Sequence, residues 1–261
     1  MRVDEAEAVD LGAADLGELL AHPDWRSRAT DDGGRRYDLD GLDYAPPVPR
    51  PEKIICVGLN YGPHIQEMGR ELPEHPTLFA KFARSLVGAH DPITLPSGSD
   101  EVDWEAELGL VIGAEVRHAD AAQARAAIAG WTVVNDISAR DFQNRTLQWL
   151  QGKMAEAATP VGPWLVVAEP HDPPVGGEIS CTVDGELMQQ ADVGELVFDP
   201  EALVRYISSI ITLAPGDLIS TGTPGGVGAA RTPPRWLQPG SEVVTRIEGI
   251  GECRNKCRDG S

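Results

Sequence analysis

The chain has 261 residues, 41% hydrophobic and 24% charged, the composition of a soluble globular protein long enough to bury a substantial core. Lys and Arg number 22 against 41 Asp and Glu, a net charge of −19 that opposes nonspecific binding to nucleic acid or to an anionic membrane surface. No stretch of about 18 apolar residues predicts a transmembrane helix, the acidic N-terminus fits neither a signal peptide nor a mitochondrial leader, and four cysteines make no disulfide framework, so a reducing cytoplasm is the expected compartment.

Residues 1–50 read as a small acidic N-terminal domain. A helical pattern over 14–20 precedes the run Tyr44-Ala45-Pro46-Pro47-Val48-Pro49-Arg50-Pro51, a linker of extended character. The larger domain, 51–261, reads as many short strands with few helices. A buried strand is expected over 53–58, another from Val102 to Gly113, and a third from Trp131 to Ile137. Between the last two, 119–129 predicts a helix with Asp120 as N-cap and Gly130 as stop. A further helix is expected over 141–150. Asp184-Gly185, flanked by two strand patterns, signals a two-residue hairpin. Asp199-Pro200 opens the longest helix, which is expected to run to Leu213. Its apolar face of Leu203, Val204, Ile207, Ile210 and Ile211 is assigned to the monomer's own core. Strands follow at 218–221 and 242–247. The class is α+β, dominated by a mostly antiparallel or mixed sheet.

Several residues in these elements could carry chemistry. Glu105 and Glu107 stand at i and i+2 of a strand pattern, so their side chains share a face with Cα atoms roughly 6.6 Å apart. From there they can converge on one small cation, and Asp136, an isolated acid in an apolar strand, could be a third ligand. Taken alone, Glu-x-Glu on a strand more often marks the solvated face of a sheet. His64 and Glu67 lie one turn apart if a short helix begins near Pro63, which would orient the imidazole as a general base, though a surface pair is the plainer reading. Arg140, near Gln143, could grip a carboxylate or simply pair with a neighbouring Asp. Lys153 could stabilise an oxyanion if it sits near a metal. The glycine-rich stretch 221–228 lacks the residues of a dinucleotide or phosphate loop. It could bring backbone N–H groups up to a carboxylate or form a tight turn. Cys253 and Cys257 lack the companions of a zinc site.

These pieces, in this order, resemble the fumarylacetoacetate hydrolase family over roughly residues 52–255. The matching motifs are Gly-Leu-Asn-Tyr-x-x-His at 58–64, Glu-x-Glu at 105–107, Asn-Asp-Ile-Ser-Ala-Arg-Asp at 135–141, Gly-Lys at 152–153, Gly-Pro-Trp at 162–164 and Thr-Gly-Thr-Pro-x-Gly-Val-Gly at 221–228. The resemblance implies mixed β-sheets rolled into a barrel-like core with a small N-terminal domain. It implies Mg²⁺ or Mn²⁺ held by Glu105, Glu107 and Asp136, with His64, Glu67 and Lys153 catalytic. Tyr61, Lys81, Arg140, Gln143 and Thr223 are the candidate substrate contacts. Met154 and Met188 stand where many members carry polar groups. The expected reaction is hydrolysis of a C–C bond in a small anionic 2-oxo acid of the acylpyruvate or fumarylpyruvate type. Decarboxylation or isomerisation of a 2-oxo or dienoate diacid is the alternative, and a noncatalytic binding protein the remote one. A homodimer is expected, partly from the resemblance, and its contact must be apolar enough to offset the charge of −19.

Overall fold

A computed structural model of the protein describes residues 1–4, 6–62, 65, 71–168 and 176–260. Strands β1 (Arg2–Asp4), β2 (Glu7–Val9) and β3 (Arg36–Asp38) form a small antiparallel sheet. The main sheet contains β4 (Ile54–Gly58), β5 (Thr77–Lys81), β6 (Leu86–Val87), β9 (Ala106–Ile112), β10 (Ile128–Asn135), β12 (Thr159–Val167) and β15 (Leu218–Ser220). Their spatial order is β5-β4-β15-β9-β10-β12-β6. It is mixed: β15 runs parallel to β4 and β12 parallel to β6, while the other pairs are antiparallel. A five-stranded sheet, ordered β14-β13-β16-β17-β7, is built from β7 (Ile93–Leu95), β13 (Glu178–Val183), β14 (Glu186–Asp192), β16 (Glu242–Ile247) and β17 (Gly251–Asp259). Among the described residues, β8 (Val102–Asp103) pairs with β11 (Ser138–Ala139) alone.

The two large sheets share one core. Ala106, Leu108 and Val133 of the main sheet meet Ile179, Cys181, Val183, Val243 and Ile247 of the other. On the far side of the main sheet, the helix Pro200–Ile210 buries Leu203, Val204 and Ile207 against Leu110, Ile112 and Ile219. A third cluster joins Leu19, Leu20 and Trp25 of the N-terminal segment to Ile54, Val111 and Val134, so this segment shares a core with the main sheet. β9 is therefore buried at every position, which is why it reads as a nearly continuous apolar run.

The hairpin at 184–185 forms as expected, with φ of 53° and 79° at its two turn residues, and Asp199 caps its helix by accepting from the Ala202 N–H at 2.7 Å. Several expected boundaries differ, among them the third strand, which spans Ile128–Asn135 and ends before Asp136. The strand over 102–113 is interrupted at Trp104–Glu105, because Asp103 Oδ1 takes the Trp104 N–H and Asn135 Oδ1 takes the Glu105 N–H in place of ladder partners. The helix over 119–129 spans Ala121–Ala127, capped by Asp120. Ile128 already has strand dihedrals and begins β10, so Gly130 lies inside a strand. The helix over 141–150 is two short ones, Arg140–Gln143 and Leu150–Lys153, and between them Thr146 bonds locally to Gln148. The long helix ends at Ile210, where Ile211 turns extended. Ile210 and Ile211 are exposed, contrary to the expected core face.

Candidate active site

Glu105 sits in the break before β9, Glu107 on β9, and Asp136 just past the end of β10. The pairing of β9 with β10 puts Ala106 opposite Asn135, so the three acids meet. One carboxylate oxygen from each lies within 4.8 Å of the others, and all three residues are buried. The two short helices complete the cluster. They pack so closely that a Cβ on Gly152 would lie 2.4 Å from the Ala139 carbonyl oxygen, and this contact delivers the next residue, Lys153, to the acids. Lys153 Nζ donates to Glu105 at 2.6 Å and to Asp136 at 2.8 Å. Arg140 reaches Glu105 at 2.7 Å, Asp103 at 2.9 Å and Gln143 Oε1 at 3.0 Å. Glu107 accepts from the Ser220 hydroxyl and, at 2.9 Å, from the Gly222 N–H. Gly222 has φ of +102°, a conformation that suits glycine.

Burial and the neighbouring charges of Asp136 and Glu105 push the Glu107 carboxyl well above the usual carboxylate range. Burial would push Asp136 the same way, but the ammonium groups of Lys153 and Lys81 outweigh it and hold that carboxyl below its ordinary value. Lys153 responds in kind. Burial favours its neutral form, yet Asp136 and Glu105 overcome this and keep it protonated.

The donor set fits a hard divalent cation: three carboxylates, no sulfur or imidazole among the described residues, and one buried acceptor that takes no hydrogen bond. Asp136 Oδ1 is that acceptor. It is buried and lies 2.8 Å from Lys81 Nζ, but the approach is out of line for a hydrogen bond, and Lys81 donates instead to Thr159 Oγ1 and the Ile137 carbonyl.

A cavity of about 530 Å³ opens onto the cluster. Glu105, Glu107, Arg140, Gln143, Lys153 and Thr223 line it, with Phe79 and Trp149 stacked edge to face at 5.7 Å on one wall. Tyr61 and Lys81 do not line it. Tyr61 is buried in the core between the sheets with its hydroxyl unpartnered, and Lys81 stands behind Asp136 as its counter-charge. His64 and Glu67 lie outside the described residues. A second cavity, about 690 Å³, separates the N-terminal segment from β12. It is mostly apolar, and its charged lining residues are already engaged: Arg2 by Asp4 and Asp32, and Asp15 as a helix cap.

The glycine-rich stretch does bring backbone N–H groups to carboxylates, but to the protein's own. Gly222 serves Glu107, while Gly228 and Ala229 serve Asp103 at 2.6 and 3.0 Å. Two further contributors were not anticipated. Asp103 continues the alternation Asp103-x-Glu105-x-Glu107, a pattern that could have flagged it. Gln189 carries no such signal, because its strand is mostly exposed and only Met188 and Gln189 in it are buried. Its Oε1 accepts from Ala106 N–H at 3.0 Å, and its Nε2 donates to Thr223 Oγ1 at 2.8 Å and to the Pro224 carbonyl at 2.9 Å. It thus braces both the Glu-x-Glu segment and the cavity wall.

The family described as Fumarylacetoacetate (FAA) hydrolase C-terminal matches residues 53–258, and the chain belongs to that family. It is 46% identical over 216 residues to oxaloacetate tautomerase Fahd2a, mitochondrial, of Rattus norvegicus, covering 82% of this chain and 69% of that protein. The human oxaloacetate tautomerase FAHD2A, mitochondrial, is 45% identical over 221 residues, covering 82% of this chain and 69% of the relative. Among solved structures, 2-hydroxyhepta-2,4-diene-1,7-dioate isomerase from Mycobacterium marinum superposes with a TM-score of 0.77 at 36% identity, covering 88% of this chain and 83% of that one. Fumarylpyruvate hydrolase from Pseudomonas aeruginosa, in complex with Mn²⁺ and pyruvate, gives 0.73 at 30% identity, covering 84% and 94%. The mixed, curled sheet architecture is the family's fold.

Proposed function

We propose that this member of the fumarylacetoacetate hydrolase family is a divalent-metal-dependent enzyme that moves a proton at the carbon next to the carbonyl of a small 2-oxo acid, interconverting its keto and enol forms. Oxaloacetate is the first substrate to test, because relatives at 45–46% identity carry the name oxaloacetate tautomerase. The observation that carries the reading is Lys153: a buried, protonated amine on two of three clustered carboxylates, beside a cavity sized for a small ligand.

Glu105, Glu107 and Asp136 would hold Mg²⁺ or Mn²⁺. When bound, the ion supplies positive charge that draws in the 2-oxo carboxylate and acidifies the neighbouring C–H. Lys153 offers an N–H donor for negative charge developing on the carbonyl oxygen. Arg140 binds a substrate carboxylate, with Gln143 and Thr223 as neutral polar contacts. His64, oriented by Glu67, is assigned the carbon-bound proton. Lys81 supports this arrangement as the counter-charge of Asp136, and Tyr61 packs in the core between the sheets. The test is decay of enol-oxaloacetate absorbance with Mg²⁺, Mn²⁺ or EDTA. Acceleration over buffer that EDTA abolishes is expected, and no metal-dependent acceleration would overturn the reading.

Hydrolysis of a C–C bond is the second reading, favoured by the likeness to a fumarylpyruvate hydrolase and by His64 and Glu67 in the sequence. It requires attacking water. Cleavage of acetylpyruvate faster than tautomerisation of oxaloacetate, and lost in His64→Ala, would put hydrolysis first.

A further inference from the structure

Asp103 is a charged residue of this cluster that the chemistry above leaves without a role. Its side chain is wholly buried, and four donors converge on it. Oδ1 accepts from the N–H groups of Trp104 at 2.8 Å and Gly228 at 2.6 Å. Oδ2 accepts from Ala229 N–H at 3.0 Å and Arg140 Nε at 2.9 Å. A carboxylate has about four acceptor positions, so Asp103 has none left for a cation. In this it differs from Asp136, whose Oδ1 accepts no hydrogen bond.

The residue it acts on faces the cavity. A guanidinium carries five N–H groups in a fixed plane. Arg140 commits Nε to Asp103 and one N–H of Nη1 to Gln143, while Nη2 lies 2.7 Å from Glu105 as an ion pair. Each terminal nitrogen carries two N–H groups, so each keeps at least one that a substrate carboxylate can accept. Nε lies closest to the stem, so fixing it to a buried acceptor sets where the planar fork can point. Asp103 is itself fixed, by three backbone N–H groups that no rotamer change can move.

We propose that Asp103 is a positioning residue for substrate carboxylate binding: it locks Arg140 Nε so that the free terminal N–H groups face the carboxylate of a 2-oxo acid in the cavity. The inference rests on the proposed substrate class. It makes the glycine-rich loop, through Gly228 and Ala229, an indirect determinant of substrate affinity.

The test compares wild type, Asp103→Asn, Arg140→Ala and the double variant. In Asp103→Asn the retained oxygen still accepts from Trp104 and Gly228, while the new amide opposes Ala229 N–H and Arg140 Nε with donors. Three quantities are read: KM and kcat for oxaloacetate with Mg²⁺, affinity for oxalate by calorimetry on the Mg²⁺-loaded protein, and affinity for Mg²⁺ alone. Asp103→Asn should raise KM and weaken oxalate by about tenfold or more, lower kcat much less, and leave Mg²⁺ affinity within about twofold. In the Arg140→Ala background the same change should add almost nothing, because its effect passes through the missing guanidinium. A purely structural role would lower the unfolding midpoint without this KM effect, or would add the same loss in both backgrounds; either result overturns the proposal. If Asp103→Asn does not fold, Asp103→Ser is read the same way. Wild type that turns over no 2-oxo acid yet binds oxalate in an Asp103-dependent way would fail the functional reading alone. Failure to bind oxalate at all would overturn the carboxylate grip itself.

Discussion

Replacing Lys153 with methionine removes a charge from the centre of the cluster while keeping the length of the stem. Lys153 is 2% exposed, with Nζ 2.6 Å from Glu105 and 2.8 Å from Asp136. Breaking one side of a buried ion pair typically costs roughly 3–5 kcal/mol, because the partner stays buried without its counter-charge. Neither partner is left bare here. Asp136 keeps Lys81 at 2.8 Å, and Glu105 keeps Arg140 at 2.7 Å. The expected loss is therefore at the low end, about 3 kcal/mol. A divalent cation on the same carboxylates supplies the missing charge. Binding to the folded state at about one hundred times its Kd adds about 2.7 kcal/mol. The variant has also lost the ammonium that competes with the ion, so it should gain at least as much from Mg²⁺ as wild type does. Urea unfolding of both proteins at pH 7, in EDTA and in Mg²⁺, reads the four stabilities. A loss under about 1 kcal/mol in EDTA, the size of a surface pair, would show that Lys153 does not hold the acids together. Equal instability with and without Mg²⁺ would refute the cation site.

Glu105→Ala should weaken Mg²⁺ binding by more than about 100-fold in calorimetry while the circular dichroism spectrum stays native, and unchanged affinity would remove Glu105 from the ligand set. The four cysteines are buried and free, and burial pushes the Cys181 thiol from its ordinary 9.0 up to about 12. Folded protein at pH 8 should therefore leave an aromatic disulfide reagent essentially unreacted until denaturant is added. Because the folded thiol holds its proton more tightly than the unfolded one, the stability it contributes is complete below the unfolded pKa. It is lost as pH climbs through 9 toward 12, which unfolding curves across that range will show.

Much of this arrangement was legible in the sequence because local signals and the fold agreed. Asp199 and Asp184-Gly185 act at the positions their chemistry demands. Glu105, Glu107 and Asp136 do converge, although only Glu107 lies within a regular strand. The geometric argument from strand spacing thus reached the right cluster through a partly wrong local picture. What it missed was tertiary. Asp103, Asn135 and Thr146 bond backbone groups with their side chains, and this breaks elements that periodicity alone would continue. The exposure of Ile210 and Ile211 shows the limit from the other side: an apolar pattern gives a face, but the helix turned extended before that face was finished. Gln189 could not be assigned from its neighbours, because its partners Ala106 and Thr223 are brought to it by two other parts of the chain.

The bonds from the glycine-rich stretch to the acids also govern when the site can exist. Gly222 reaches back 115 residues to Glu107, and Gly228 reaches back 125 to Asp103. During synthesis the acidic segment leaves the ribosome long before either donor does. Until then Glu107 and Asp103 lack the N–H groups that make their burial tolerable, so β9 has reason to stay hydrated. Contacts of such long sequence separation form late, after the entropy of closing the intervening loop has been met. The carboxylate cluster is therefore a product of completed folding rather than a nucleus for it. A chain stalled or cut before residue 220 would carry Glu105, Glu107 and Asp136 and still lack both donors that Glu107 accepts from.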